Sequence, residues 1–366
     1  MKKVVSAGHI CLDITPVFPA EKQTDRVSSL LIPGKLIQME AADVHTGGSV
    51  ANTGLALKLL GCDVTLMGKV GDDAFGMMIR SILARYGAGG LLMDPDSSTS
   101  YSVVLAVPGL DRIFLHNPGA NDTFSGTDIP EEALEETALF HFGYPPLMRH
   151  TWENDGAELT ALFRRMKAKG IATSLDLAAV DPDSPAGRAD WEKILSGVLP
   201  WVDFFVPSFE ELCWMLDRER YDRLAAAGGD MTEGLDLNAE ALLLAEKVLS
   251  MGCRIAVIKC GTSGMLLRTA GREAVAGVGS RLEINADRWC DQTVFQPCFR
   301  ADIVRSTTGA GDTSIAAFLA AMLSGRGPAE CIALASAEGA CCVTAYDALS
   351  GLKPLDELEE RIRNGW

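Results

Sequence analysis

The amino-acid sequence predicts an α/β protein in which a mainly parallel sheet is covered by helices, with a small β-sheet set over one edge. The main observation is that short apolar runs alternate with helical segments from residue 138 onwards. Such alternation is typical of parallel sheets covered on both faces. The second observation is that the segments before residue 120 include short strands and a hairpin that do not fit the alternation.

Each element in the first part of the chain is predicted from a local pattern of apolar residues. We expect a buried strand at residues 4–7 and two short strands around a turn at residues 35–44. A helix at residues 49–60, a strand at residues 64–67 and a helix at residues 74–86 are expected to follow. The sequence PGLD then joins two strand-like runs at residues 101–107 and 112–116, which predicts a β-hairpin. The early strands and this hairpin are assigned to the small sheet.

The second part of the chain supplies most of the predicted parallel sheet. Strands are expected at residues 138–142, 172–176, 204–206, 255–259 and 265–268. Helices are expected at residues 158–168, 191–196, 210–216, 239–250, 311–323, 328–343 and 355–363. A polar insertion at residues 218–238 and an irregular stretch at residues 273–300 give no predicted element.

The composition is that of a globular protein and excludes several classes of function. The length of 366 residues suggests roughly two domains or one large α/β domain with an appendage, and 48% hydrophobic with 22% charged residues is ordinary for a globular protein. The net charge of −16 argues against a partner that is a nucleic acid or an anionic membrane. The sequence shows neither a signal peptide nor a run of about 18 apolar residues. Its ten cysteines include no CxxC pair, so we expect a cytoplasmic protein with mostly buried free thiols.

The segment with the strongest chemical signal reads STTGAGDTS at residues 306–314 and continues as an apolar helix. Small residues let backbone N–H groups approach an anion, and the helix dipole favours negative charge at the same end. Asp312 lies in the first turn of this helix. An acidic residue there either complements the dipole or takes part in chemistry, and this segment alone is compatible with both interpretations.

Two common nucleotide-binding motifs are absent from the sequence. A Walker P-loop requires GxxxxGK followed by Ser or Thr, but the glycine pair Gly71 and Gly76 is followed by Met77. A dinucleotide-binding fingerprint requires GxGxxG after the first strand, and residues 6–11 read SAGHIC. The chain is therefore neither a standard P-loop enzyme nor a standard Rossmann dehydrogenase.

A second candidate segment reads HTGGSVANT at residues 45–53 and opens the first long helix. Its glycine pair permits a close backbone approach, and Asn52 offers both a hydrogen-bond donor and an acceptor. These features suit a ligand with several hydroxyl groups. The alternative is a simple turn into a helix that Ser49 caps.

The two segments, in this order and at this separation, resemble the ribokinase-like (PfkB) carbohydrate kinase family. Further stretches agree with its motifs: Gly8 and Asp13 match an opening GxxxxD, and residues 68–76 (GKVGDDAFG) match GxVGDDxxG. Residues 118–121 (PGAN) and 258–264 (IKCGTSG) are similar to its lid-returning strand and its nucleotide-side turn. The resemblance extends over almost the whole chain.

The resemblance implies a single kinase domain over residues 1–366, with a three-layer α/β/α core and a β-sheet lid formed by about residues 12–46 and 99–118. It implies an ATP-dependent transfer of the γ-phosphoryl group to a hydroxyl, usually a primary one, of a small sugar. Asp312 is then the general base, and the backbone N–H groups at Gly309, Ala310 and Gly311 stabilise the transferred group.

The resemblance also assigns the remaining ligands. Sugar hydroxyls are expected at Asp13, Gly47, Gly48 and Asn52. The nucleotide is expected along Lys259, Gly261, Gly264 and Thr308. Mg²⁺ is expected between the donor phosphates, with Glu211 near it. A homodimer formed through the lid is a further expectation, because exposed strand edges and apolar faces favour pairing.

At three positions the sequence departs from the family pattern, and these departures limit which properties of the family are expected for this chain. Ser306 stands where potassium-activated members have Asp, so we expect turnover to depend on Mg²⁺ but little on K⁺. The family's NxxE element has Ser208 at the Asn position and keeps Glu211. Ser49 replaces the Lys of ribokinases proper, and no acidic residue follows the strand near Gly143, so ribose is not assigned.

Two alternatives remain beside the sugar kinase. A nucleoside kinase of the same fold needs an additional sub-site for a base, which Tyr101, Phe114 and Tyr144 could supply, although aromatic residues on strands more often pack in a core or lid. A non-catalytic regulator that binds sugar or nucleotide has no use for a general base, and Asp312 argues against it. ATP consumption with sugars and nucleosides separates these alternatives.

Overall fold

The structure is a computed structural model that describes residues 2–110 and 112–366. Its strands are β1 (Lys3–Gly8), β2 (Cys11–Thr15), β3 (Asp43–Gly47), β4 (Asp63–Met67), β5 (Lys69–Gly71), β6 (Leu92–Asp94), β7 (Tyr101–Leu105), β8 (Ile113–Asn117), β9 (Thr137–Gly143), β10 (Ala172–Leu175), β11 (Phe204–Phe205), β12 (Ile255–Lys259), β13 (Met265–Thr269) and β14 (Thr293–Gln296).

The α-helices are α1 (Val27–Leu30), α2 (Ser49–Leu59), α3 (Ala74–Arg85), α4 (Glu131–Leu134), α5 (Arg149–Trp152), α6 (Ala157–Ala168), α7 (Trp191–Val198), α8 (Phe209–Leu216), α9 (Arg218–Ala227), α10 (Leu242–Ser250), α11 (Arg272–Ala276), α12 (Ala286–Trp289), α13 (Ala310–Leu323), α14 (Pro328–Cys342) and α15 (Leu355–Arg363). Across the described residues, none of these helices has both the length and the apolar character needed to span a lipid bilayer.

The core is an eight-stranded sheet in the order β14-β13-β12-β11-β10-β9-β1-β4. Neighbouring strands from β4 to β12 are parallel, and β13 and β14 add an antiparallel edge. Because the strands from β4 to β12 run in one direction, their carboxyl ends meet at one edge of the sheet. The ends of β1, β9, β10 and β12 lie there, where open α/β sheets commonly bind ligands.

Helices cover both faces of this sheet, which confirms the predicted α/β class. One buried cluster joins the sheet to residues of α6, α7, α8 and α10, such as Phe163, Ile194 and Leu244. The other joins it to α2, α3, α13, α14 and α15, with Leu55 and Phe318 among the residues that are fully buried. Strand β9 is buried along its whole length, as expected of a central strand covered on both faces.

A second, four-stranded sheet has the order β3-β2-β7-β8 and lies over the edge of the main sheet where the carboxyl ends of the parallel strands meet. Its antiparallel pair β7 and β8 is the expected hairpin. The two strands expected at residues 35–44 were wrong: only β3 forms, starting at Asp43, and most residues from 31 to 42 are exposed without a surface to pack on. The partner of β3 is β2, a five-residue strand that begins only three residues after the end of β1 and has no apolar pattern of its own.

The two segments without a predicted element contain short elements. Residues 218–238 include helix α9, whose side chains are mostly exposed, and this explains why no apolar stripe marks it. Residues 273–300 include α12 and the edge strand β14, together with part of α11. The polar insertion reaches the carboxyl edge of the main sheet. Its residue Thr232 packs against Gly261, which follows β12, so closely that a Cβ placed on Gly261 would lie 2.3 Å from the Thr232 hydroxyl.

Candidate active site

A cleft of about 620 Å³ opens between the carboxyl edge of the main sheet and the second sheet. It brings together most residues that the sequence singled out: Asp13, Gly48, Asn52, Glu211, Lys259, Gly261, Thr308, Gly309, Gly311 and Asp312 all line it. Gly47, Gly264 and Ala310 lie beside these wall residues. Gly47 is directly behind the Asp13 carboxylate, and Gly264 is packed against the backbone of Gln296.

The floor of the cleft is the N-terminus of α13, where Gly309 precedes the first helical residue. Gly309 has a φ of 75°, and a Cβ there would lie 2.2 Å from the Cβ of Ala348, so both conformation and space require glycine. The α13 residues that follow are buried almost all round. We call residues 307–311 the anion turn, because their geometry directs the amino end of a buried helix into the cleft.

Asp312 is 4% exposed and lies in the first turn of α13. Its carboxylate accepts hydrogen bonds from Asn52 Nδ2 at 3.0 Å and from Thr53 Oγ1 at 3.2 Å, both on α2. The hydroxyl of Tyr144, which follows β9, lies 2.9 and 2.8 Å from the two carboxylate oxygens. These donors are neutral side chains, and the carboxylate oxygens have further lone pairs that can accept a proton in the cleft.

Tyr144 is a site residue that sequence reasoning placed only in a base-binding sub-site. It adopts a left-handed conformation with φ of 68°, which turns its ring from the end of β9 into the cleft. Burial, followed by the nearby charge of Asp312, raises the pKa of Tyr144 well above its usual value. The phenol therefore remains protonated and acts as a donor to Asp312.

The side of the cleft formed by the second sheet carries Asp13 and two histidines. Asp13 accepts a hydrogen bond from Cys11 Sγ at 3.3 Å, and burial raises its pKa. The start of α2 can lie close to His9 only because residue 48 is glycine, since a Cβ there would lie 2.6 Å from His9 Nδ1. Both ring nitrogens of His9 and Nε2 of His116 are buried and have no hydrogen-bond partner among the described residues.

These histidines are neutral hydrogen-bonding groups. Burial, with His116 as a second cause, lowers the pKa of His9 well below its usual value, and burial lowers the pKa of His116. The two rings lie 5.1 Å apart between centroids, and His116 Nδ1 is 3.0 Å from Ser102 Oγ. Sequence reasoning missed both residues, although His9 stands inside the GxxxxD stretch and His116 in the predicted hairpin.

The opposite side of the cleft carries the other charged groups. Lys259 Nζ, at the end of β12, is 2.8 Å from Asp176 Oδ1 at the end of β10. Burial opposes the charged form of Lys259, but the carboxylates of Asp176 and Glu211 outweigh it and raise its pKa. Sequence reasoning did not identify Asp176 as a site residue. The signal that could have identified it is its position as a polar residue directly after a buried parallel strand.

Glu211 and Ser208 form the start of α8. The Ser208 hydroxyl accepts a hydrogen bond from Glu211 N at 3.2 Å, and Glu211 Oε2 accepts one from Ser208 N at 2.7 Å. Within the described part of the chain, no group of three or more His, Cys, Asp or Glu side chains is arranged to hold a metal ion. Glu211 is a carboxylate of the kind that could hold Mg²⁺ together with waters and substrate phosphates.

Arg112, at the start of β8, connects the second sheet to the anion turn. Its guanidinium donates to Thr307 Oγ1 at 2.8 Å and also to Thr308 Oγ1. Ser306 bonds within the same loop: its hydroxyl donates to Thr308 Oγ1 and accepts from Thr308 N, both at 3.1 Å. The anion turn is thus held from the second sheet as well as from its own helix.

Comparison with known proteins agrees with this geometry. A family model described as pfkB family carbohydrate kinase matches residues 1–354. A protein of Archaeoglobus fulgidus described as an uncharacterized sugar kinase is 25% identical over 302 residues, which cover 81% of this chain and 98% of that protein. The match thus spans the second sheet, the cleft and the helical layers together.

Solved structures share the fold at lower identity. Ribokinase of Arabidopsis thaliana, complexed with ribose and ATP, superposes with a TM-score of 0.71 at 19% identity and covers 98% of both chains. A nucleoside kinase of Methanocaldococcus jannaschii gives a TM-score of 0.67 at 18% identity, covering 100% of this chain and 99% of the other. At these identities the likeness shows the fold alone, and it confirms the ribokinase-like architecture.

Proposed function

The chain belongs to the pfkB family of carbohydrate kinases, and we propose that its cleft transfers the γ-phosphoryl group of ATP to a hydroxyl of a small sugar with Asp312 as general base. The observation that carries the proposal is the setting of Asp312. It is a buried carboxylate at the amino end of a buried helix, with neutral donors from α2 and Tyr144 around it. Burial alone would call for such donors, but Asp312 also lines the cleft, where the hydroxyl of a bound substrate can reach it.

The chemistry of phosphoryl transfer matches the two parts of this site. The attacking hydroxyl must lose a proton, and Asp312 accepts it. Negative charge spreads over the oxygens of the transferred group, and the backbone N–H groups of Gly309, Ala310 and Gly311 are donors at the positive end of α13. Since both groups stand on one rigid helix turn, the hydroxyl and the phosphoryl group are brought together by a single element.

Sugar recognition is assigned to the side of the cleft nearest the second sheet. Asp13, Asn52 and the backbone at Gly47 and Gly48 offer acceptors and donors for hydroxyl groups. The nucleotide is assigned to the opposite side, along Gly261, Gly264, Lys259 and Thr308. Mg²⁺ would be held by donor phosphates, waters and Glu211, and would supply charge neutralisation for the phosphate chain. A primary hydroxyl is the proposed acceptor, and a cytoplasmic location is proposed because all ten cysteines are free thiols.

The proposal is tested by ATP consumption with purified protein on a panel of small sugars, sugar acids and nucleosides. We expect ADP to form at a rate that depends on a neutral sugar and on Mg²⁺, with the same mixture lacking an acceptor as the control. Turnover with nucleosides but not with sugars would favour a nucleoside kinase, for which Phe114 and Tyr144 in the cleft could form the base sub-site, whereas Tyr101 packs against Phe75. No turnover with any acceptor, although ATP binds, would favour a non-catalytic regulator.

Little dependence on potassium is proposed from Ser306. A monovalent cation beside a carboxylate at 4 Å gains about 4 kcal/mol at an effective dielectric of 20, and a hydroxyl does not supply this charge. The Ser306 hydroxyl is also engaged with Thr308 in two hydrogen bonds of the loop.

Replacing K⁺ by a bulky organic cation at constant ionic strength should therefore change kcat by less than about twofold, because no charged side chain at residue 306 holds the ion. The reverse substitution, Ser306→Asp, is the matched variant and should introduce activation by K⁺. A tenfold loss of kcat in the wild-type protein without K⁺ would show that backbone carbonyls suffice for the site.

Dimerisation through the second sheet is proposed from strand β8, which is one of the two edge strands of that sheet. Leu115 on this strand is 53% exposed, and an exposed apolar edge favours pairing with a second copy. We expect a dimer by light scattering at micromolar concentration and a weaker dimer in the variant Leu115→Ser. Leu243, 56% exposed on α10, provides the control Leu243→Ser, which should leave the dimer unchanged. A wild-type monomer would contradict this proposal.

A further inference from the structure

We propose that Lys259 is a catalytic residue: its ammonium group, held beside the anion turn by the buried carboxylate of Asp176, binds the transferred phosphoryl group and neutralises the charge on it. This inference rests on the function proposed above and deepens it. It assigns to one side chain a role in the transfer step, beyond the general position along the nucleotide that the sequence suggested.

The first observation is the position of the ammonium group. Lys259 runs across the amino end of α13, so that a Cβ placed on Gly311 would lie 3.5 Å from Lys259 Cδ and 3.6 Å from Nζ. Lys259 and Asp312 both line the cleft. A phosphoryl group that accepts hydrogen bonds from the anion turn would therefore lie within reach of this ammonium.

The second observation is that Lys259 has donors to spare. An ammonium group has three N–H donors. Within the described residues the acceptor of Lys259 Nζ is Asp176 Oδ1 at 2.8 Å, which accounts for one of the three. Both residues line the cleft, and the side chain of Lys259, 15% exposed, is more open to it than that of Asp176, which is 1% exposed.

A second buried Lys–Asp pair in the same chain shows what a purely structural lysine looks like. Lys167 Nζ donates to both carboxylate oxygens of Asp203 at 2.7 and 2.9 Å and to the carbonyl of Gly277 at 2.9 Å. Its three donors are therefore all satisfied inside the protein. The contrast between the two lysines indicates that Lys259 is arranged for a ligand.

The third observation is the charge of the cleft. Among the described residues, the carboxylates Asp13, Asp176, Glu210, Glu211 and Asp312 line it, together with the cations Lys259 and Arg112. The phosphate chain of ATP adds several further negative charges. Arg112 is engaged with the threonines of the anion turn. Lys259 is the cation that lies beside Gly311 at the amino end of α13, close to where charge develops during transfer.

The transfer step balances with Lys259 acting as a cation only. The substrate oxygen forms a bond to the γ-phosphorus, and its proton moves to Asp312. The bond from that phosphorus to the β–γ bridging oxygen breaks, and its electron pair leaves with ADP. Lys259 keeps its proton throughout and donates hydrogen bonds to oxygens of the transferred group.

The alternative is that Lys259 only neutralises the buried charge of Asp176, and a double-mutant cycle separates the two roles. Lys259→Met should lower kcat about 100-fold or more, as the loss of one donor to a developing charge does. Asp176→Asn should lower it less than tenfold. In Lys259→Met/Asp176→Asn the buried unpaired carboxylate is gone, so this variant should fold, yet its kcat should remain about 100-fold low.

Recovery of kcat to within tenfold of wild type in the double variant would overturn the proposal. The matched control is Lys167→Met/Asp203→Asn, which should lower the melting temperature but keep kcat within about twofold. A control that loses activity as strongly as the Lys259 double variant would also count against the proposal, because any buried pair would then have the same effect.

A binding measurement keeps this test separate from the proposed function. By calorimetry, the preference of the protein for Mg·ATP over Mg·ADP should fall about tenfold in the Lys259→Met/Asp176→Asn variant, because only ATP carries the γ-phosphoryl group. An unchanged preference would overturn the role of Lys259. If the wild-type protein binds Mg·ATP but phosphorylates no acceptor, the proposed function fails and the binding result still decides whether Lys259 contacts the γ-phosphoryl group.

Discussion

The architecture of the cleft depends on supplying hydrogen-bond donors to the buried carboxylate of Asp312 at the amino end of α13. An isolated buried carboxylate costs several kcal/mol relative to water unless it is hydrogen-bonded. Here α2 supplies Asn52 and Thr53, and the turn after β9 supplies Tyr144. The close packing of α2 against α13, the left-handed Tyr144 and the glycines around Asp13 and His9 all serve this arrangement, so the fold and the site share the same contacts.

The remaining charges of the cleft form two regions on either side of Asp312. The region nearest the second sheet has neutral histidines and Asp13, which suit hydroxyl groups rather than a second anion. The opposite region has Lys259 between Asp176 and the anion turn, where phosphate oxygens need a cation. This separation explains how a chain with a net charge of −16 accommodates an anionic cosubstrate: the positive charge it uses is local.

Long, strongly patterned elements could be predicted from the sequence, and residues brought in by the tertiary structure could not. Helices α2 and α13 and the buried strand β9 follow from apolar runs, and the glycine-rich segments lead directly to Asp312 and Asn52. The short strand β2 closely follows β1 and has no apolar pattern of its own, and α9 lacks an apolar stripe because it is mostly exposed. Tyr144 and Asp176 carry no motif, since their importance arises only where parallel strands end side by side.

The most direct test of the account is a single-turnover measurement of phosphoryl transfer in the variant Asp312→Asn, made by rapid quench with ATP and an acceptor sugar. Asparagine keeps the shape of the side chain and removes the proton acceptor. We expect the transfer step to slow by about 10²–10⁴-fold while the affinity for Mg·ATP changes little. A variant that transfers the phosphoryl group at more than half the wild-type rate would contradict the assignment of Asp312 as general base.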